Sequence, residues 1–156
     1  MRWLLLLLIA LTCFTSSSSP APVCQCEEYG TPICASYWRS DAVFVGQLRD
    51  ITPPDRSAPD SLPLATLHFI VEEPFRGVTA ATIDVGTLSG TSCDIEFIKG
   101  RRYLIYANRG SENQLFTGMC SGTTEAEGAA EDLSYIRSVT QQGATESISG
   151  RVTRMK

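Results

Sequence analysis

Cys24-Gln25-Cys26 is the stretch of this chain whose residue types and spacing carry the most chemistry. Two thiols one residue apart point to opposite sides of an extended backbone, and the short span between them strains a direct S–S bond. Each therefore looks elsewhere for a partner among Cys13, Cys34, Cys93 and Cys120. The motif could serve as a redox pair, as part of a zinc site with His68, or as two structural half-cystines. An oxidising compartment favours the disulfides. His68, the single histidine, sits in an alternating stretch where a structural or surface role is the simpler reading. Cys34 lies beside a helix start, where a thiol can be activated, but an inert buried thiol is the plainer expectation. We find no Ser/His/Asp set, paired-carboxylate motif or phosphate loop. Asp41, Glu72, Glu73 and Asp94 are scattered and read as solvated. The chain is not read as an enzyme, and no catalytic residue, cofactor or metal of its own is expected.

The compartment follows from the first residues. Trp3 to Leu11 is apolar behind Arg2, and Thr15 to Ser19 is polar. A membrane span needs about 20 apolar residues, so residues 1–21 read as a secretory signal peptide and the chain as secreted. Ser19 and Ala21 offer a small-x-small cut, and cleavage among Ser16 to Ser19 reads equally well. Lipid attachment at Cys13, with the serine run as a tether to the cell surface, is the lesser alternative. The whole chain has 13 Lys and Arg against 17 Asp and Glu, a net charge of −4; removing Arg2 with the leader makes it −5. An acidic domain is a poor partner for nucleic acid or anionic membrane. The basic cluster Lys99-Gly100-Arg101-Arg102 reads as a solvated turn. Behind the leader an odd number of cysteines remains, so one is free or pairs outside the domain.

The elements that must hold these cysteines are mostly strands. Thr31-Pro32 reads as a helix start, with Thr31 as N-cap and a short helix from Ile33 to Trp38. Asp41 to Leu48 is a strand with Val43 and Val45 on one face, Phe44 on the other, and a bulge or bend at Gly46. Ile51 to Leu62 is an irregular loop. Leu64 to Glu73 alternates, with Leu67, Phe69 and Val71 on one face, and Pro74-Phe75-Arg76-Gly77 closes it. Ala81 to Val85 is a strand; Leu88 to Ser92 is a polar loop ending at Cys93; Ile95 to Ile98 pairs locally. Arg102 to Asn108 is apolar on both faces and so is a central strand. Arg109 to Asn113 is a turn and Gln114 to Met119 the last strand. Thr124-Glu125-Ala126-Glu127 fits a capping box opening an amphipathic helix from Glu125 to Thr140, with Ala129, Leu133, Ile136 and Thr140 at helical spacing. Tyr103, Ile105, Leu133 and Ile136 are expected in one core. This order predicts a mostly β fold: a small OB-fold-like Greek-key barrel with a short N-terminal helix, a closing C-terminal helix and disulfide staples. Residues 141–156 read as a linker followed by either a frayed tail or the start of a further β module, since Ile148 to Val152 alternates again.

The constellation resembles a known family. It comprises Cys-x-Cys, a third cysteine at Cys34, the strand Ala-Val-Phe-Val-Gly, then Phe75-Arg76-Gly77. A small-residue loop into Cys93 follows, then the run Lys99 to Ala107, Cys120 and a closing helix. Over residues 24–140 this is similar to the netrin-like (NTR) module, and within it to the N-terminal domain of the tissue inhibitors of metalloproteinases. The resemblance implies the pairs Cys24–Cys93 and Cys26–Cys120, each stabilising by about 4–5 kcal/mol in the chain-entropy model, with Cys34 unpaired. It also implies a mechanism. The α-amine and carbonyl oxygen of Cys24, once first in the mature chain, would chelate the zinc of an extracellular metalloprotease and displace its nucleophilic water. Gln25 would enter the specificity pocket, with Cys26 and the loop Ser89-Gly90-Thr91-Ser92 beside it. The alternative implied function is a non-inhibitory extracellular protein-binding module, favoured by the residues Pro22-Val23 ahead of Cys24.

Overall fold

The computed structural model describes residues 26, 32–55, 57, 62–110 and 112–142. The expectations for the leader, Cys24, Gln25 and residues 143–156 lie outside these. Helix α1 (Ile33–Arg39) is followed by β1 (Ala42–Thr52), β2 (Leu64–Arg76), β3 (Thr82–Leu88), β4 (Arg102–Arg109), β5 (Leu115–Phe116) and β6 (Thr124–Glu125). A 3-10 turn (Ala126–Gly128) then leads into α2 (Ala130–Gln142).

The strands run β1-β2-β3-β5-β4, and β4 pairs back onto β1, so five strands close into the expected OB-like barrel. Neighbours are antiparallel except β3 and β5, which run parallel at Gly86 opposite Phe116. The long strands β1 and β2 supply much of the wall. β1 bends at the expected place, with a register shift between Val45 and Gly46. A side chain at Gly46 would meet the Phe44 ring at 2.9 Å and the Ile70 carbonyl oxygen at 3.0 Å, so only glycine fits that bend. Pro74 is part of β2 instead of closing it, opposite Phe44 beside a second register shift. β3 no longer pairs with β2 past Ile70, so Pro74 has a ladder neighbour on the β1 side only, an edge position that proline tolerates. Gly77 then turns the chain at φ 65°, with Asp41's carbonyl oxygen where a Cβ would stand.

Strand alternation creates two apolar layers, which corrects the expectation of one core. Inside the barrel lie Phe44, Leu67, Phe69, Val85, Tyr103 and Ile105 with their neighbours. Outside, under the helices, lie Tyr37, Val43, Val45, Leu104, Tyr106, Ala129, Leu133 and Ile136. Tyr103 and Ile105 therefore share no layer with Leu133 and Ile136. Successive side chains of β4 point to opposite faces, and both faces are covered, hence its fully apolar run. Phe69 meets Phe44 and Tyr103 edge-on at 5.6 and 6.3 Å between centroids.

Several element ends differ from the sequence reading. α1 takes Pro32, not Thr31, as its N-cap; the Pro32 carbonyl accepts the Ala35 and Ser36 amides. β1 runs on to Thr52, opposite Thr66, before the irregular loop begins. Ile95–Ile98 is not a strand: Phe97 packs against Tyr103 at 5.0 Å, and the Ile98 amide donates to the Tyr103 hydroxyl at 2.7 Å. β5 is confined to Leu115–Phe116 because the next residue, Thr117, turns its hydroxyl onto the Tyr106 carbonyl. The closing helix starts at Ala130, not Glu125, because Thr124–Glu125 pairs with Leu104–Tyr103 and Arg101 binds the Glu125 carboxylate. Glu131 and Asp132 fill its first turn, the sign that a helix N-terminus favours.

Candidate functional site

Cys26 is bonded to Cys120, with Cα atoms 5.4 Å apart and 94 residues of separation. That span closes a loop for which chain entropy alone gives about 4–5 kcal/mol. Cys93 is also disulfide-bonded. Cys34 is free and exposed on α1. Its free state matches the expectation, but its burial does not: Tyr37 is the buried residue of α1, and Cys34, one turn before it, is exposed.

The sheet sends the chain toward Cys93 and toward Cys120 from the same end. β3 and β5 are parallel neighbours, so the chain leaves both in the same direction. After β3 it enters the loop Ser89–Ser92 and reaches Cys93; after β5 it enters a turn that holds Cys120. Hydroxyls fix that turn. Thr117 Oγ1 donates to the Tyr106 carbonyl at 2.9 Å and lies 2.6 Å from Thr123 Oγ1, which accepts the Tyr106 amide at 2.9 Å. Ser121 Oγ donates to the Gly118 carbonyl at 2.8 Å. These residues were not singled out from the sequence, and only their density of small hydroxyls, in Thr117 to Thr124, signals them.

The loop before Cys93 is tied to Pro63 and by its own residues. The Ser89 amide donates to the Pro63 carbonyl at 2.9 Å and the Gly90 amide to Asp94 Oδ2 at 2.7 Å. The Cys93 amide donates to Thr91 Oγ1 at 3.2 Å, and the Asp94 amide to the Thr91 carbonyl at 3.2 Å. Gly90 turns at φ 76°. Gly90 and Ser92 are exposed, while Ser89 and Thr91 are half-buried. Of the expected contact residues, the structure thus gives Cys26 and the whole Ser89–Ser92 loop; Cys24 and Gln25 are not described.

The carboxylates read as solvated have partners. Asp41 Oδ2 accepts the Arg109 amide at 2.7 Å, Glu72 pairs with Arg102 at 2.6 Å, Glu73 with Arg137 at 2.7 Å, and Asp94 closes the loop above. The basic cluster is likewise engaged: Lys99 meets Asp50 at 3.1 Å and Arg101 meets Glu125 at 2.7 Å. The Lys99 hydrogen bond holds Asp50 below the usual carboxylate range, and Arg137 does the same for Glu73. Among the described residues these pairs leave little of the cluster's charge for a partner.

His68 occupies neither a cysteine site nor a purely solvated one. Its Nε2 lies 2.7 Å from Thr52 Oγ1 and its Nδ1 2.7 Å from Asp84 Oδ1. The three residues lie on β1, β2 and β3, and Leu67 and Phe69 face inward on either side, so the row crosses the outer face as a polar pin. No described helix is long and apolar enough to cross a membrane. No family model matches this chain, and no curated protein matches it.

Proposed function

We propose that the chain is a secreted inhibitor-like protein of netrin-like type that acts on extracellular zinc metalloendopeptidases through its Cys24-Gln25-Cys26 edge. The observation that carries the reading is the placing of cysteines by a closed five-strand barrel. Cys26 is bonded to Cys120, and Cys93, at the end of a loop leaving β3, is bonded as well. With Cys34 free, we assign Cys24 as the partner of Cys93. The edge is then held at both of its cysteines, and little ordering entropy is lost when it enters a cleft. In this reading the Cys24 amine and carbonyl ligate the enzyme's zinc, Gln25 fills the adjoining pocket, and Ser89–Ser92 makes flanking contacts. The chain does no covalent chemistry.

The chemistry needs a free α-amine, because an amide nitrogen does not ligate zinc. Pro22-Val23 precedes Cys24 in the sequence, and this observation favours the second reading, a non-inhibitory extracellular binding module. N-terminal sequencing of the secreted chain separates the two. A start at Cys24, with inhibition of zinc proteases and none of serine proteases, supports the inhibitor. An earlier start with no inhibition of either class supports the binding module.

A further inference from the structure

We propose that Thr52, His68 and Asp84 form an acyl-transfer site on the outer face of the barrel, hydrolysing small activated esters with a short apolar acyl group. It is independent of the inhibitory reading, whose Cys24 edge does no covalent chemistry. No hydroxyl–imidazole–carboxylate set is visible in the sequence, because strand register assembles this one. Thr52 is exposed at the end of β1. Its Oγ1 lies 2.7 Å from His68 Nε2, and His68 Nδ1 lies 2.7 Å from Asp84 Oδ1. An ionised carboxylate only accepts, so Nδ1 carries the ring proton, and the neutral ring leaves Nε2 to accept the Thr52 proton. This is the connectivity of a nucleophile, its general base and a group that orients the base. Asp50, opposite His68 on β1, is taken up by Lys99 at 3.1 Å, so Asp84 is the carboxylate that orients the ring.

The neighbours of Thr52 complete the site. Thr66 stands directly opposite it on β2, where Cβ atoms are about 4.5–5.5 Å apart. The Thr66 hydroxyl has no partner among the described residues and can donate to the oxygen of a carbonyl attacked by Thr52. His68 occupies one diagonal from Thr52 and Leu64 the other, on the same face of β2. Leu64 is 37% exposed and offers the acyl chain apolar surface. Pro53 and Pro54 follow Thr52 and carry no N–H, so the backbone after the nucleophile adds no second donor. That limits the site to esters with a good leaving group. In the reaction, Thr52 Oγ1 attacks the ester carbonyl carbon as His68 Nε2 takes its proton. The tetrahedral intermediate expels the alcohol, which leaves with that proton. Water, deprotonated by the same nitrogen, then attacks the acyl-Thr52 ester, releasing the acid and restoring the hydroxyl.

The test uses the folded, disulfide-bonded chain carrying Cys34→Ser, which removes a competing exposed thiol. p-Nitrophenyl butyrate should release p-nitrophenol, and peptide mapping of acid-quenched protein should find the butyryl group on Thr52. Thr52→Ala should abolish that label. His68→Gln should slow its formation about a hundredfold, and Thr66→Val, which keeps the shape and removes the donor, about tenfold. Asp84 is a positioning residue, acting through the ring. Asp84→Asn should slow the labelling and also move His68 off the Nδ1–H tautomer, read from nitrogen–proton NMR of the imidazole. A row that merely pins three strands predicts no more butyryl on Thr52 than on Thr82, an exposed threonine of β3, and that result overturns the proposal. Labelling of Thr52 that proceeds unchanged in His68→Gln and Asp84→Asn also overturns it.

Discussion

The Tyr106 hydroxyl donates to Asp132 Oδ2 at 3.0 Å, fastening the central strand of the barrel to the first turn of the closing helix. Tyr106 lies in the outer apolar layer beneath that helix. Burial, and then the charge of Asp132, push its phenol well above the ordinary value of 10.0. The phenol is neutral when protonated, so the unfolded chain gives up this proton before the folded one does. Stability from this group is complete below about pH 10 and falls as pH rises above it, by up to about 1.4 kcal/mol per pH unit. Denaturant unfolding at pH 8 and pH 11, with Cys34 alkylated to block exchange, should show that fall. Tyr106→Phe should cost about 1 kcal/mol at pH 8 and show a visibly flatter loss between the two pH values. An identical slope in the variant would mean that Tyr106 does not carry the effect.

Ile105 and Ile136 are both fully buried but lie on opposite sides of the barrel wall. Ile105→Ala and Ile136→Ala should each cost roughly 2–5 kcal/mol. Because the two sites belong to separate layers, the double variant should equal the sum within about 0.5 kcal/mol. A larger coupling, measured by chemical denaturation, would argue for the single core that the sequence alone suggested.

Arg137 and Glu73 join the closing helix to β2 through two hydrogen bonds, 2.9 and 2.7 Å. Both side chains are partly solvated, so Arg137→Ala should cost under about 1 kcal/mol. Arg137 lowers the folded pKa of Glu73. Its stabilising share is therefore present above the ordinary carboxylate pKa and lost as pH falls through the depressed folded value. The gap between wild type and variant should close on the acid side and persist at neutral pH; a gap that widens in acid would contradict the pairing.

The legible parts of this chain are those where burial dictates residue type. β4 is apolar on both faces because both of its faces are covered, and that pattern is visible without coordinates. Gly46 marks its bend because no other side chain fits. What stayed hidden is competition between local and distant partners. Thr124 to Glu127 spells a capping box, yet the β4 ladder and Arg101 take the first two of these residues into the sheet. Asp94 looks like a surface carboxylate until its loop closes on it. Thr52, His68 and Asp84 are 16 residues apart from one to the next, and only strand register brings them into one row. Tyr103 and Leu133 carry the same apolar signal, which does not say on which side of a barrel wall each belongs.

Cys34 should react as an accessible thiol of the unreduced chain, since it is free and exposed. Alkylation under native conditions followed by non-reduced peptide mapping should label Cys34 and recover Cys26 linked to Cys120 and Cys24 linked to Cys93. Recovery of Cys34 in an internal bridge would overturn the cysteine framework.

The zinc-directed reading is tested most directly by paired inhibition constants for two forms of the chain against a panel of zinc proteases: one beginning at Cys24, the other carrying a single Ala before it. Both forms keep the barrel and its disulfides, so they differ only in whether the Cys24 nitrogen is an amine or an amide. The form beginning at Cys24 should inhibit. Its inhibition should weaken as pH falls below about 7.7–8.0, where a free α-amine protonates. The extended form should not inhibit. Equal inhibition by both forms would contradict chelation, and inhibition by neither would contradict the inhibitory function itself.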